Sequence, residues 1–281
     1  MNIRDHAPTI KSRTQEYDKA HQAVLSNSYW FSDKPKLLSQ SFSAENTKIR
    51  SKITIEILRR AAHSKSPFAD QYSVLDDKLC ECGTFRSGSA ACVNCLRGFQ
   101  QAKTAAHQSL IAEVAKLYPE KLVYLVTIIP REHNYRRNTF HKFDAEAFKC
   151  LLQAPLNSFP IPFVGSIDFS VEHRENAKYI QPHFHLIMHT GDCDELRDRL
   201  KWHFPPLGKY DYPVDLKQIG DLAVVPYIHK VMKVNYLLRN GRQYLPELLL
   251  TLDGIKPLDL MVTHRLELCA RDDGFKFQIV S

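Results

Sequence analysis

Two neighbouring runs of alternating residues, 164–173 and 179–190, constrain this chain more than any other feature. Successive side chains on a strand point to opposite faces, so such runs predict a pair of β-strands joined as a hairpin. Ile167, Phe169 and Val171 fall on one face, with Phe184, Leu186 and Met188 as their partners. The opposite face then collects Asp168, Ser170 and Glu172 from the first strand and His183, His185 and His189 from the second. Shifting either strand by one residue would turn its apolar set to the wrong side, so the apolar face dictates where the polar set stands.

Pro182-His183-Phe184-His185 is the centre of that polar set. Its two imidazoles point the same way and make a half-site for a divalent metal. Glu172 is the preferred third ligand, because its strand is expected to be hydrogen-bonded to the histidine strand. Glu175, nearer the turn, is the fallback. Two imidazoles, one carboxylate and open positions suit Mg2+ or Mn2+ engaged with phosphate oxygens, with Zn2+ as the other option. Taken alone, the pattern also fits histidines on a half-exposed sheet.

The rest of the chain extends this sheet. The continuous apolar run 122–129, ended by Pro130, predicts a strand covered on both faces. Asp144 caps a helix carrying Phe148, Leu151 and Leu152, and Asp192 with Glu195 starts another whose Leu196 and Leu200 face inward. A short strand at 214–219 precedes a helix from Pro226, and 275–280 is strand-like. The order predicts an α+β fold, an antiparallel sheet with helices on one face.

Upstream, residues 1–42 are polar with little periodicity, and Tyr29-Trp30-Phe31 is expected to dock onto the core. Residues 43–62 read as a helix capped by Ser43 or Asn46, with Ile49, Ile53, Ile57 and Leu58 as its apolar stripe. Its basic residues, Arg59 and Arg60 among them, suit DNA phosphates or simply a solvated surface. Residues 65–67 and 76–78 bracket a linker, and a helix at 101–117 follows the cysteines. The chain thus divides into an N-terminal helical region (1–79), a four-cysteine module (80–100) and a core with a C-terminal extension (101–281).

Cys80-Glu81-Cys82 and Cys92-Val93-Asn94-Cys95 form a C-x-C…C-x2-C pattern that can close a tetrahedral structural Zn2+ site, with four unliganded thiols as the alternative. Cys150, Cys193 and Cys269 stand apart and read as core thiols. Clustered cysteines fit a reducing compartment better than a disulfide framework. The longest apolar run is too short to cross a bilayer and the N-terminus lacks signal-peptide character, so a cytoplasmic location is expected. A net charge of +7 and a pI near 9.0 favour an anionic partner, nucleic acid first, over an unengaged basic surface.

Pro226-Tyr227-Ile228-His229-Lys230 supplies a candidate nucleophile. Proline at the first helical position puts Tyr227 in the opening turn, near unpaired N–H groups and the positive end of the helix dipole. Lys230, three residues on, shares its face and can hold a phosphate or stabilise developing charge. A free tyrosine, with a pKa of about 10, needs such help and a metal-polarised phosphate to attack. In isolation the same pattern also fits a core tyrosine with a hydrogen-bonded hydroxyl.

Tyr124-Leu125-Val126-Thr127-Ile128-Ile129-Pro130, then Pro182-His183-Phe184-His185-Leu186-Ile187, then Tyr227-Ile228-His229-Lys230 together resemble the HUH endonuclease superfamily. In particular they are similar to the rolling-circle replication initiators of plasmids and phages. Phe169-Ser170-Val171-Glu172 before the histidine strand and Lys233 after Lys230 add to it. The likeness covers about residues 120–240. Each motif is short and moderately specific, and their order and spacing carry the comparison.

The resemblance implies an HUH/RRM-like core with a metal held by His183, His185 and a nearby acid. It implies Tyr227 as nucleophile on single-stranded or hairpin DNA at an origin, giving a 5′-phosphotyrosine link and a free 3′-OH. Lys233 would contact DNA, and host replication proteins would be further partners. Tyr236 lies nine residues after Tyr227, not one turn away as a second nucleophile on the same helical face would. The cysteine module and the first 79 residues lie outside the matched region. A zinc module before such a core also occurs in some transposases of this superfamily, so a single-tyrosine transposase is the alternative. A zinc-containing DNA-binding protein that does not cut is another.

Overall fold

Ser43 accepts a hydrogen bond from the Asn46 N–H and starts a 19-residue helix, as its capping position predicts. The computed structural model that shows this describes residues 15–32, 34, 37–38, 43–82, 86–174, 177–208, 211–230 and 242–280. Four long helices precede the sheet: α1 (Gln15–Ser26), α2 (Ala44–Ala62), α3 (Ala69–Glu81) and α4 (Val93–Leu117). Two of them replace stretches expected to be irregular. α1 buries Tyr17, Ala20, His21 and Val24, and α3 buries Tyr72, Leu75 and Leu79 where a linker was expected, both at helical spacing. α4 begins at Val93, eight residues earlier than 101.

β1 (Leu122–Ile128) leads through the short helices α5 (Ala145–Cys150) and α6 (Gln153–Leu156) to β2 (Phe163–Arg174) and β3 (Ala177–Thr190). Then come α7 (Cys193–His203), β4 (Val214–Gln218), the single turn α8 (Val225–Ile228), α9 (Leu245–Asp253) and β5 (Met261–His264). The five strands form one antiparallel sheet in the order β4-β1-β3-β2-β5. Leaving β5 aside, the path is two interleaved β-α-β units, the split βαβ pattern. Among the described residues, β6 (Leu266–Arg271) and β7 (Gly274–Ile279) pair only with each other, so the strand expected at 275–280 belongs to a separate hairpin.

One face of the sheet is aromatic. Phe148 of α5 stacks on Phe184 with ring centroids 4.5 Å apart, and Phe140, Phe143 and Phe169 pack edge-on and stacked beside them. Phe169 and Phe184 are fully buried, each contributing about 1.5–3 kcal/mol by removal from water. Leu196 and Leu200 of α7 are also buried, in the same core cluster.

The other face is covered as well, which corrects the expectation of helices on one face. Ile111 of α4 and Val225 and Ile228 of α8 pack on Ile187. Ile187 lies between His185 and His189 on the polar side of β3, and Leu125 and Val123 flank it. That apolar strip needs cover, and α4 supplies it.

One contiguous hydrophobic cluster runs from Tyr17 of α1 through Leu58, Leu75 and Phe99 to the sheet residues Phe184 and Val262. Of the aromatic trio, Trp30 and Phe31 dock onto this body as expected, while Tyr29 stays exposed. Trp30 Nε1 donates to the Asp273 carbonyl, and the Phe31 ring occupies the space over Gly98, where a Cβ would stand 2.4 Å from Phe31 Cε1. Among the described residues, no helix is long and apolar enough to cross a membrane.

Candidate metal centres and nucleophile

The register of β2 on β3 builds the site. Asp168 pairs with His183 and Ser166 with His185, so four polar residues of one face meet at the middle of the sheet. The His183 and His185 rings stand perpendicular with centroids 4.8 Å apart. Asp168 Oδ2 lies 3.7 Å from the Nε2 of each.

The ring orientations have identifiable causes. His183 Nδ1 is 3.2 Å from the Gln181 carbonyl, which can only accept, so Nδ1 carries the proton and Nε2 presents its lone pair toward Asp168. His185 Nδ1 is 3.0 Å from the Thr127 hydroxyl, on the register partner of His185 in β1, which likewise turns Nε2 inward. Such bonds to the far nitrogen are what orient histidine ligands in metal sites. Asp168 Oδ1 accepts from the Phe169 N–H at 2.9 Å, while Oδ2 is buried with no hydrogen-bond partner among the described residues. A buried carboxylate oxygen that accepts no hydrogen bond and faces two imidazole nitrogens is what a divalent cation would complete, and these three residues form a group able to hold one.

This geometry moves the third ligand from Glu172 to Asp168. Glu172 shares the face but pairs with Tyr179, and it accepts a 3.0 Å hydrogen bond from Ser170 Oγ. It lies four positions from Asp168, about 13 Å along β2. Glu175, the fallback ligand, lies outside the described residues.

Tyr227 of α8 and Lys230, two residues past its end, close the site. Lys230 is buried and its Nζ stands 3.5 Å from Asp168 Oδ2 and 2.9 Å from the centroid of the Tyr227 ring. The same Tyr227 ring lies 5.3 Å from that of His185 and remains 39% exposed, so the phenol is reachable from solvent. α8 begins at Val225 and spans four residues, with Pro226 second. So short a helix adds little dipole, and the expected help from a helix N-terminus gives way to the Lys230 ammonium. Lys233 and Tyr236 lie outside the described residues.

Sequence reasoning passed over the polar groups behind this site. Gln100 and His107 of α4 reach Pro226 and His229, and Ser166 bonds His229. Burial holds His107 down to about 3 and His229 well below the usual histidine range, so both rings are neutral at physiological pH.

A second group forms where α3 meets α4. Cys82 caps the end of α3, Cys92 caps the start of α4, and Cys95 sits in its first turn. The Cys82 sulfur is 3.0 Å from that of Cys92 and 3.4 Å from that of Cys95, and all three are buried. Hydrogen bonds from the Cys92 and Cys95 thiols push the Cys82 thiol strongly toward the thiolate and hold Cys92 and Cys95 protonated. Three converging sulfurs suit a thiophilic ion such as zinc.

Cys80 is not among them, a correction to the four-cysteine set. It lies inside α3, exposed, donating to Asp76 and accepting from Arg59. Residues two apart on a helix do not face each other, so Cys80 and Cys82 cannot converge. Arg59 and Arg60, proposed from sequence to touch DNA, are paired with Asp76 and Glu56 on α2 and α3 and are not brought to the histidine site.

The two metal-capable groups and the phenol beside one of them stand on internal geometry alone: set against family models, curated proteins and solved structures, the chain finds no significant match.

Proposed function

We propose that the chain is a metal-dependent single-strand DNA endonuclease and strand transferase of the HUH type. The observation that carries this reading is the meeting of Asp168, His183 and His185 with a buried ammonium and a solvent-reachable phenol on one face. Mg2+ or Mn2+ held by those three residues would polarise a phosphoryl oxygen of the scissile bond. The Tyr227 oxygen attacks that phosphorus and gives up its proton. The P–O3′ bond breaks, and the 3′-oxygen takes a proton to become a free hydroxyl. Lys230, against the ring, offsets negative charge on the phenolate as it attacks. Because the phosphodiester energy is kept in the phosphotyrosine link, a second 3′-hydroxyl can reverse the step and join strands.

The split βαβ path with the histidines on its central strand agrees with an HUH/RRM-like core, and the charge of +7 suits a DNA partner. On this reading the substrate is single-stranded or hairpin DNA at an origin, and the reaction initiates rolling-circle replication with host replication proteins. A zinc ion on Cys82, Cys92 and Cys95 would brace the junction of α3 and α4. Incubation with pooled single-stranded DNA and Mn2+, followed by mass analysis, should detect a tyrosine–DNA adduct. Tyr227→Phe should abolish it while leaving DNA binding nearly intact, and an adduct that survives the substitution would move the nucleophile elsewhere, first to Tyr236.

A further inference from the structure

α4 crosses the polar face of the sheet and carries two buried side chains that grip the segment holding Tyr227. Gln100 Nε2 donates to the Pro226 carbonyl at 2.7 Å. His107 stands seven residues further along α4, two helical turns on and on the same side. Its Nδ1 is 3.0 Å from His229 Nε2, and His229 Nδ1 is 3.0 Å from Ser166 Oγ. Ser166 is the register partner of His185.

The result is a hydrogen-bonded chain from α4, through residue 229, to the strand beside a candidate metal ligand. Gln100, His107, Ser166 and His229 are all buried, so no water competes for these bonds. A neutral imidazole has one N–H and one lone pair. If His229 accepts from His107 it must donate to Ser166, and the reverse also holds, so the two bonds set each other.

Tyr227 is therefore fixed from both sides, one residue before it and two after it. α8, at four residues, is too short to hold that geometry unaided. We propose that Gln100 and His107 are positioning residues for Tyr227, holding its ring beside His185 and over Lys230. The geometric claim stands by itself, and its catalytic consequence rests on Tyr227 being the nucleophile.

The full chain labelled with 3-fluorotyrosine tests both parts, with the Tyr227 resonance assigned through Tyr227→Phe. Gln100→Met and His107→Phe keep bulk and remove the bonds. His107→Asn places an amide nitrogen near the position of Nδ1. In the first two variants the Tyr227 fluorine signal should move and narrow toward that of a free side chain. The adduct rate at saturating oligonucleotide should fall by about 10- to 100-fold, as expected for misplacing a reacting group by roughly 1 Å. The apparent Kd for the same oligonucleotide pool should stay within about twofold, because no DNA contact is assigned to either residue. His107→Asn should recover most of both signals.

An unmoved fluorine signal in both variants overturns the proposal. So does a parallel loss of adduct rate, DNA affinity and melting temperature that asparagine fails to rescue. A wild-type chain that forms no adduct, with a fluorine signal that still moves in the variants, would sink the nuclease reading and leave the positioning role supported.

Discussion

Replacing Asp168 by asparagine changes one charge and almost no volume at the floor of the histidine site. Its carboxylate is fully buried and its Oδ2 lies 3.5 Å from the buried Lys230 ammonium. At that separation an effective dielectric of 20 gives an attraction of about 5 kcal/mol, and breaking a buried pair by removing one partner costs about 3–5 kcal/mol. Asp168→Asn should therefore lower unfolding stability in EDTA by about 3–5 kcal/mol, read from urea titrations at pH 7.5. A metal adds a second signature. A cation present at a hundred times its Kd stabilises the folded state by about 2.7 kcal/mol, so wild-type protein should gain that much in Mn2+ and the variant should gain almost nothing. Glu172→Gln, the substitution at the ligand expected from sequence, should leave the Mn2+ increment whole and cost at most about 1 kcal/mol for the Ser170 bond. A full Mn2+ increment in Asp168→Asn, or its loss in Glu172→Gln, would refute the assignment.

Four further substitutions probe other parts of the fold. A Cβ at Gly165 would stand 2.4 Å from the His185 carbonyl oxygen and 2.3 Å from Leu186 Cδ2. Gly165→Ala should accordingly cost about 1–3 kcal/mol in urea unfolding, and an unshifted midpoint would contradict so close a strand approach. Native mass spectrometry should find bound zinc retained in Cys80→Ser and lost in Cys82→Ser, while equal loss in both would restore Cys80 to the ligand set. The buried histidine pair sets a pH dependence. Unfolded histidine titrates at about 6.5, whereas burial keeps His107 neutral down to about 3 and pushes His229 well below the usual histidine range. Between those values the unfolded chain binds protons that the folded one refuses, so their stabilisation is whole above 6.5 and drains as pH falls. The loss is about 1.4 kcal/mol per pH unit for each ring. His107→Phe should flatten the stability difference between pH 7.5 and 5.0 by about 2 kcal/mol, and an unaltered difference would argue against burial of a neutral ring.

Alternation made the polar face legible, because a period of two is a local property that the residues themselves display. Which carboxylate meets the histidines is a matter of register, and Glu172 shares the face with His183 without being its neighbour. Only the folded turn settles it: Arg174 pairs with Ala177, and six residues further into each strand Asp168 stands opposite His183. Cys80 went astray differently. Cys-x-Cys read as a turn converges, but Tyr72, Leu75 and Leu79 mark those residues as a helix, on which positions two apart diverge. Gln100 and His107 gave no local sign of their partners, since Pro226 and His229 lie over a hundred residues away and meet them only through the tertiary packing of α4. The N-cap of α2 and the capping of α7 by Asp192 were readable because both ends of each bond lie within three residues.

The register of the β2–β3 hairpin also governs how this chain can change length. Losing one residue between Asp168 and the turn would bring Ile167 opposite His183 and turn the aromatic face outward, so sheet and site would fail together. Losing two would keep every side chain on its proper face and the sheet intact, yet bring Ser166 opposite His183 and leave the imidazoles without an acid. Odd changes in this hairpin are lethal to folding, and even changes silently disarm it. Insertions and deletions are tolerable only where spacing carries no chemistry, such as the stretch between α7 and β4. A descendant that keeps both histidines but has a hairpin shorter or longer by two would have the same architecture without the same metal site.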